Sequence, residues 1–151
     1  MLNHDMSQQD LFQLLLPLVA QIKCGHTKFH PDNNWSDNYY FGYDKVFPFK
    51  LFFRDNKAWI IDGYDNNFKV TKGAEVIAIN NTPVVDIIDK LLKCGFSDGN
   101  NTTFKYIEMS KFFSAYYANL FEAPDTFKII YRDDHLLQEV KVPAISRSIK
   151  R

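Results

Sequence analysis

One serine stands in a pattern that is typical of a catalytic nucleophile. Residues Gly95 to Gly99 read GFSDG and fit G-x-S-x-G. That pattern exposes a serine where a strand turns sharply into a helix. Here the preceding residues, 84–94, have helical spacing instead of strand spacing. We therefore interpret Ser97 as a loop residue, and a stand-alone hydrolase that uses Ser97 is the weakest of three functional hypotheses.

Two histidines, His26 and His30, have the four-residue spacing of metal ligands on a helix. Gly25 predicts the end of the helix before them, so the pair indicates no metal site, and we expect no cofactor. Cys24 and Cys94 each lack a second cysteine nearby, which argues against a zinc knuckle or a redox pair. We expect two buried free thiols in place of a disulfide.

Composition excludes two classes of partner. Lys plus Arg and Asp plus Glu number 18 each, so no net charge attracts nucleic acid. No apolar run reaches the roughly 18–20 residues that span a bilayer. With 46% hydrophobic and 16% aromatic residues, the 151-residue chain has enough apolar surface for a packed core rich in strands.

Local signals predict the elements that would position a site. Ser7 is a helix N-cap candidate, and the helix after it should be kinked or split by Pro17 and should end at Gly25. Its apolar positions are Leu11, Leu14, Leu15, Leu18 and Ile22. Residues 30–46 have no hydrophobic period and predict a loop or linker.

From Phe47 onward the pattern changes to strands. A hairpin is predicted around Asp55-Asn56, then a third strand over 74–80 and a turn at Asn80-Asn81. A short helix follows over 82–95, a longer aromatic helix over 102–121, and a last hairpin around Asp133-Asp134. The apolar face of the short helix is predicted at Val85, Ile88, Leu91 and Leu92.

This order predicts an α+β fold, a PDZ-like half-open β-barrel with a long inserted helix behind an N-terminal helical segment. The predicted division is 1–30 helical segment, 31–46 linker loop and 47–147 PDZ-like domain. In such a unit a peptide adds to a strand edge beside the short helix. The candidate peptide-binding residues are Phe47, Phe49, Leu51, Val85, Ile88 and Leu92. Pro48 has no N–H to offer a terminal carboxylate, which weakens that part of the site.

Five stretches follow one another in order: CGHT (24–27), FPFKLFFRDNKAWIID (47–62), KGAEVIAINNTPVVDIIDKLL (72–92), FSDGNN (96–101) and TFKIIYR (126–132). Together they resemble the N-terminal half of a tail-specific (C-terminal processing) serine peptidase, most closely the secreted form of Bacteroides-like bacteria. Gly25-His26-Thr27 is similar to the family's Asp-Gly-His-Thr, with Cys24 in place of Asp. Gly73 to Val84 is similar to the motif Pro-Gly-Asp-x-Ile-x-x-Ile-Asn-Gly-x-Pro-Val, with Asn81 in place of its second Gly. The resemblance covers about residues 10 to 147.

The resemblance implies a non-catalytic substrate-recognition part that binds extended peptides or protein C-termini. The catalytic serine, with its Lys or His base, would lie in a following peptidase domain of the same parent chain, and the location would be the cell envelope, periplasm or exterior. The alternative is a structural or regulatory domain that packs on the peptidase domain and binds no peptide. In either case we expect the chain itself to be inactive.

Overall fold

The computed structural model describes residues 6–30, 38–65 and 70–150. Helices and antiparallel strands make an α+β fold, as the sequence predicts. The helices are α1 Gln8–Ala20, α2 Val84–Cys94 and α3 Thr102–Leu120. The strands are β1 Lys45–Val46, β2 Phe49–Arg54, β3 Lys57–Gly63, β4 Glu75–Ile79, β5 Thr82–Pro83, β6 Thr126–Asp133, β7 Leu136–Pro143 and β8 Ile145–Ser146.

The main sheet has the order β2-β3-β4-β6-β7, with β5 paired to β4. Both hairpins and the β4–β5 turn have two residues in the left-handed region, namely Asp55 and Asn56, Asn80 and Asn81, and Asp134 and His135. Such turns match the twist of the paired strands, and Asn and Asp tolerate them better than other non-glycine residues. The last turn is therefore one residue later than the sequence predicts. In the first hairpin, Arg54 and Lys57 pair on either side of the Asp55-Asn56 turn, as the sequence predicts.

β1 pairs with β8 in a separate two-stranded sheet. The last two residues of the predicted linker, Lys45 and Val46, thus form a strand. The linker's residues 31–37 lie outside the described residues. The division of the chain into three segments stays a prediction.

α1 begins at a capping box in which Ser7 and Asp10 bond each other's backbone N–H. It runs through Pro17 as one helix and ends at Ala20, before Gly25. Its inward side chains are Phe12, which is buried, and Leu16, which packs against the core. Of the five expected apolar positions, Leu15 is partly buried, and four are exposed: Leu11, Leu14, Leu18 and Ile22.

α2 ends at Cys94 with Gly95 as its C-cap, as predicted, but its buried face differs from the predicted one. The buried residues are Val84, Ile87, Ile88, Leu91 and Cys94, whereas Val85 is 53% exposed. α2 packs on β3, β4 and β5 and against α1 and α3. Leu92 is only partly buried.

α3 is buried mainly in its second half, and Phe112 breaks its helical backbone with φ −121° and ψ 18°. The exposed Phe104 and Ile107 lie in the first half. α3 packs against both β2 and α2. Since α3 contacts both elements of the predicted groove, its position decides whether that groove is open.

Candidate functional site

Four of the six predicted groove residues lie in the core. Phe47, Phe49, Leu51 and Ile88 are at most 2% exposed. The Phe47 ring lies 5.1 Å from those of Phe113 and Phe127, in edge-to-face geometry. In this conformation these side chains contact the protein's own residues, so a peptide-binding role for them stays a prediction and requires the groove to open.

The outer edge of β2 is covered by one face of α3. Three α3 residues spaced by four, Tyr106, Ser110 and Ser114, hydrogen bond to backbone groups in or beside β2. Ser110 Oγ accepts from Phe53 N at 3.2 Å, and Ser114 Oγ donates to Phe47 O at 3.1 Å. An added peptide strand would compete with these bonds for the same edge.

Ser97 is not a nucleophile elbow. It is 1% exposed, and its Oγ lies 3.4 Å from the carbonyl oxygen of Gly99, which accepts a weak hydrogen bond. The residues before it are the helix α2, as the sequence predicts. A buried hydroxyl after a helix cannot reach a substrate carbonyl, so the structure gives no support to the hydrolase hypothesis.

A cluster of three side chains with metal-ligating or nucleophilic atoms lies at a different place, where the loop after α1 meets the loop after α2. One ligand atom each from Cys24, His26 and Asp98 lies within 4.8 Å of the other two. Cys24 is half-buried, and the other two residues are exposed. His30, which has metal-ligand spacing from His26 in the sequence, is not in this cluster and packs edge-to-face on Tyr40 with ring centroids 5.1 Å apart.

Two hydrogen bonds donated by backbone N–H groups hold the two loops together. Gly25 N donates to Asp98 Oδ1 at 2.7 Å, and Gly99 N donates to Lys23 O at 2.9 Å. A Cβ on residue 25 would lie 3.1 Å from Asp98 Oδ1, so a side chain there would require the carboxylate to shift by a few tenths of an ångström. Gly25 is therefore suited to this close approach.

The surroundings of Cys24 favour its thiolate. Hydrogen bonds from the Thr27 hydroxyl and from the backbone N–H groups of His26 and Thr27 lower the pKa of the Cys24 thiol, despite desolvation and the charge of Asp98. By contrast, burial raises the pKa of Cys94. Both cysteines are free, but only Cys94 is buried.

Each residue of Gly25-His26-Thr27 thus has a structural part in the cluster. Gly25 fixes Asp98, His26 supplies an imidazole, and Thr27 supports Cys24. Such a set can act in two ways: as an imidazole base beside a carboxylate, or as a group of S, N and O metal ligands. Sequence reasoning missed the cluster, although the Cys-x-His spacing was a usable signal.

A separate cavity of about 40 Å³ lies between the three helices. It has room for only a few water molecules. Its walls are mostly apolar and include Phe12, Leu16, Leu91, Met109 and Leu120. We interpret it as a packing void, not as a substrate site.

Two of the solved structures that match this chain are of the same protein and therefore indicate the same fold. A serine-to-alanine mutant of CPAF, a chlamydial serine protease, matches with a TM-score of 0.64 and 13% identity over 96% of this chain. Mature CPAF matches with a TM-score of 0.60 and 15% identity over 95% of this chain. The chain has a CPAF-like fold. It spans only 26% of either CPAF chain.

No protein-family model matches this sequence, and no curated protein matches it either. Among the residues that the structure describes, no helix is long and apolar enough to cross a bilayer.

Proposed function

We propose that this chain is the N-terminal accessory part of a serine-type peptidase and hydrolyses no peptide alone. The observation that supports this is the unequal coverage of the CPAF match, 96% of this chain and 26% of the CPAF chain. The Bacteroides-type secreted form and an envelope location belong to the same proposal and rest on the sequence resemblance. The test is hydrolysis of casein or an unstructured peptide by the isolated chain, which we expect to equal the buffer blank.

The exposed face of α1 favours a role in packing on the peptidase domain. Leu11, Leu14 and Leu18 of α1 and Ile22 in the turn after it are 44–59% exposed and follow one another at helical spacing. A contiguous apolar stripe of this kind is characteristic of an interaction surface. We assign it to the peptidase domain of the parent chain.

A double substitution tests this assignment. Leu14→Glu with Leu18→Glu should leave the melting temperature of the isolated chain unchanged but lower that of the parent protein. The matched control is Leu136→Glu with Leu137→Glu, because these leucines are 67% and 63% exposed on β7. Equal effects of both pairs on the parent would contradict the assignment.

Peptide recognition is the second role, favoured by the presence of a strand and a helix in the expected order. It requires α3 to release the β2 edge. Hydrophobic C-terminal peptides titrated into the labelled chain should shift resonances of residues 47–53 and 85–92. Absence of saturable binding at millimolar peptide would reject this role and leave the packing role intact.

The position of His26 supports a third role, which is catalytic. Its imidazole is exposed beside the Asp98 carboxylate, and a base oriented by a third group is what a serine nucleophile requires. We propose that His26 is the general base for a serine contributed by the rest of the parent. His26→Gln should lower kcat of the parent, whereas His135→Gln should leave it unchanged. Full activity of His26→Gln would exclude the role.

A further inference from the structure

The two edges of the main sheet differ in how they are covered. The strand order places β2 at one edge and β7 at the other. α3 covers the β2 edge, whereas β7 packs mainly on β6, and no described residue bonds to the backbone on its outer side. Most of β7 is exposed, with Leu136 at 67% and Leu137 at 63%. An open edge of this kind is a template for pairing with another strand.

The register of the β6–β7 hairpin decides which backbone groups of β7 face outward. Asp133 and Leu136 close its two-residue turn and form a hydrogen-bonded pair, and such pairs alternate along antiparallel strands. Ala144 N donates to Asp125 O at 2.9 Å, which fits the same alternation at the far end. The residues between that turn N–H and C=O away from β6 are Leu137, Glu139 and Lys141.

We propose that β7 pairs with β7 of a second copy of this chain, antiparallel and centred on Val140, so that the two main sheets become one. In this register Glu139 of each copy lies directly opposite Lys141 of the other, and both exchange backbone hydrogen bonds. Val140 faces Val140 of the second copy. The proposal does not rest on the proposed peptidase function, because pairing is a property of the chain alone.

The charges along β7 are complementary to themselves. Within one copy, Lys141 lies opposite Lys128 of β6, and like charges in that position are unfavourable. Lys128 pairs instead with Glu139 at 3.1 Å, and no ion pair among the described residues includes Lys141. In the dimer, Glu139 of the second copy lies on the other side of Lys141 and supplies its carboxylate. Each half of the interface then alternates in sign across three strands.

Other registers lack this match. A dimer centred on Glu139 would place two glutamates opposite each other, and one centred on Lys141 would place two lysines opposite each other. A slip by one residue would bring inward-bonded backbone groups to the interface and turn each side chain to the wrong face. The register centred on Val140 also packs the exposed Leu137 against Pro143 of the second copy. Since Pro143 has no N–H, it suits the end of the new ladder.

Sedimentation velocity of the isolated chain over a dilution series tests the dimer, and wild type should show a monomer–dimer equilibrium. Glu139→Lys should raise the dissociation constant at least about tenfold, because each copy then sets Lys opposite Lys, and Lys141→Glu should do the same. The double variant Glu139→Lys with Lys141→Glu should return to within about threefold of wild type, since opposite charges again face each other. Asp86→Lys, the same charge change at an exposed position of α2, should have no effect.

The position of the two-fold axis gives a second readout. In a Cys24→Ser background, Val140→Cys should form a disulfide-linked dimer in a glutathione redox buffer, because facing residues of a non-hydrogen-bonded pair have Cα atoms about 4.5 Å apart. Gln138→Cys should not, since its two copies would lie about 13 Å apart along the strands. In native-state hydrogen exchange, the amides of Leu137 and Glu139 should gain protection as the protein concentration rises.

Wild type that stays monomeric at its highest soluble concentration overturns the proposal. A dimer that Glu139→Lys leaves intact overturns it as well, and loss of that dimer in Leu14→Glu with Leu18→Glu would place the contact on α1. A folded double charge variant that dimerises as weakly as Glu139→Lys contradicts the charge pairing, and cross-linking through Gln138→Cys alone contradicts the register. Because Leu136 and Leu137 lie on this edge, the melting comparison that uses them as a control is made below the dissociation constant.

Discussion

At the scale of single residues, neighbours decide what each side chain can do. Phe47 and Val85 are both predicted to line a groove, yet Phe47 is 1% exposed and Val85 is 53% exposed. Phe47 is surrounded by aromatic rings of α3, β2 and β6. Val85 lies on the outward side of α2 and contributes little to the core.

Truncation to alanine should change the free energy of unfolding very differently at these two positions. Phe47→Ala should lower the free energy of unfolding by about 3–5 kcal/mol, because it leaves a cavity among the rings. Val85→Ala should change it by no more than about 0.5 kcal/mol. Urea denaturation measures both values, and similar losses from the two substitutions would contradict the assignment of Phe47 to the core.

The two cysteines should differ in reactivity because their surroundings shift their pKa values in opposite directions. Hydrogen bonds lower the pKa of Cys24, while burial raises that of Cys94. Iodoacetamide at neutral pH should therefore alkylate Cys24 first, and Cys94 only when urea unfolds the chain. Mass spectrometry of tryptic peptides gives the order. Faster labelling of Cys94 in the native chain would count against the burial described here.

At the scale of elements, α3 protects a sheet edge. Edge strands present unpaired backbone groups that invite pairing with another chain. The face formed by Tyr106, Ser110 and Ser114 satisfies three such groups in or beside β2. Phe113, which lies between Ser110 and Ser114, packs into the core.

Ser110→Ala should expose this edge. The Phe53 amide loses its acceptor, so the free energy of unfolding should fall by about 1–3 kcal/mol, and that amide should exchange with solvent faster. Lys111→Ala is the control, because Lys111 is exposed on the same helix. Hydrogen exchange followed by NMR tests the prediction, and unchanged protection of Phe53 would mean that Ser110 does not protect the edge.

The elements could be predicted from the sequence because their signals are local. Asp55-Asn56 specifies its hairpin, Gly95 ends α2, and Ser7 caps α1. Helix faces were harder to predict. The spacing of leucines in α1 indicates an apolar face, but only tertiary packing shows that Phe12 and Leu16 are the ones turned inward.

The candidate site could not be predicted in the same way. Cys24 and His26 are near neighbours in sequence, but Asp98 lies more than 70 positions away. Their meeting depends on the packing of α1 against α2, which brings the loops after both helices together. The strand and the helix expected to flank the groove are present as β2 and α2, but the sequence gives no sign that α3 bonds to the edge of β2. The groove itself stays a prediction.

At the scale of the whole molecule, the buried Tyr117 makes the free energy of unfolding decrease at alkaline pH. Burial, with the nearby charge of Glu122, raises the pKa of Tyr117 above its usual value of 10.0. The folded state therefore holds this proton where the unfolded state has lost it. This contribution to stability is fully present below pH 10 and declines as pH rises above that value.

Urea denaturation at a series of pH values should show this decline above pH 10, together with release of a proton on unfolding. Tyr117→Phe is the matched variant, since it keeps the ring stacked on Phe121 and removes the titrating hydroxyl. Its stability should depend less on pH in that range. An equal slope for wild type and variant would assign the decline to other groups.

The pairing of β4 with β6 has a consequence for the order in which the chain folds. The hairpins β2–β3 and β6–β7 join neighbouring residues and can form within microseconds. The β4–β6 pairing has to wait until the ends of the segment that carries α2 and α3 meet, for example when Ile79 reaches Ile129. Closing so long a segment is an entropic cost that must be met before its contacts form. We therefore expect β4 and β6 to hold the rate-limiting contacts, with the two hairpins assembled earlier.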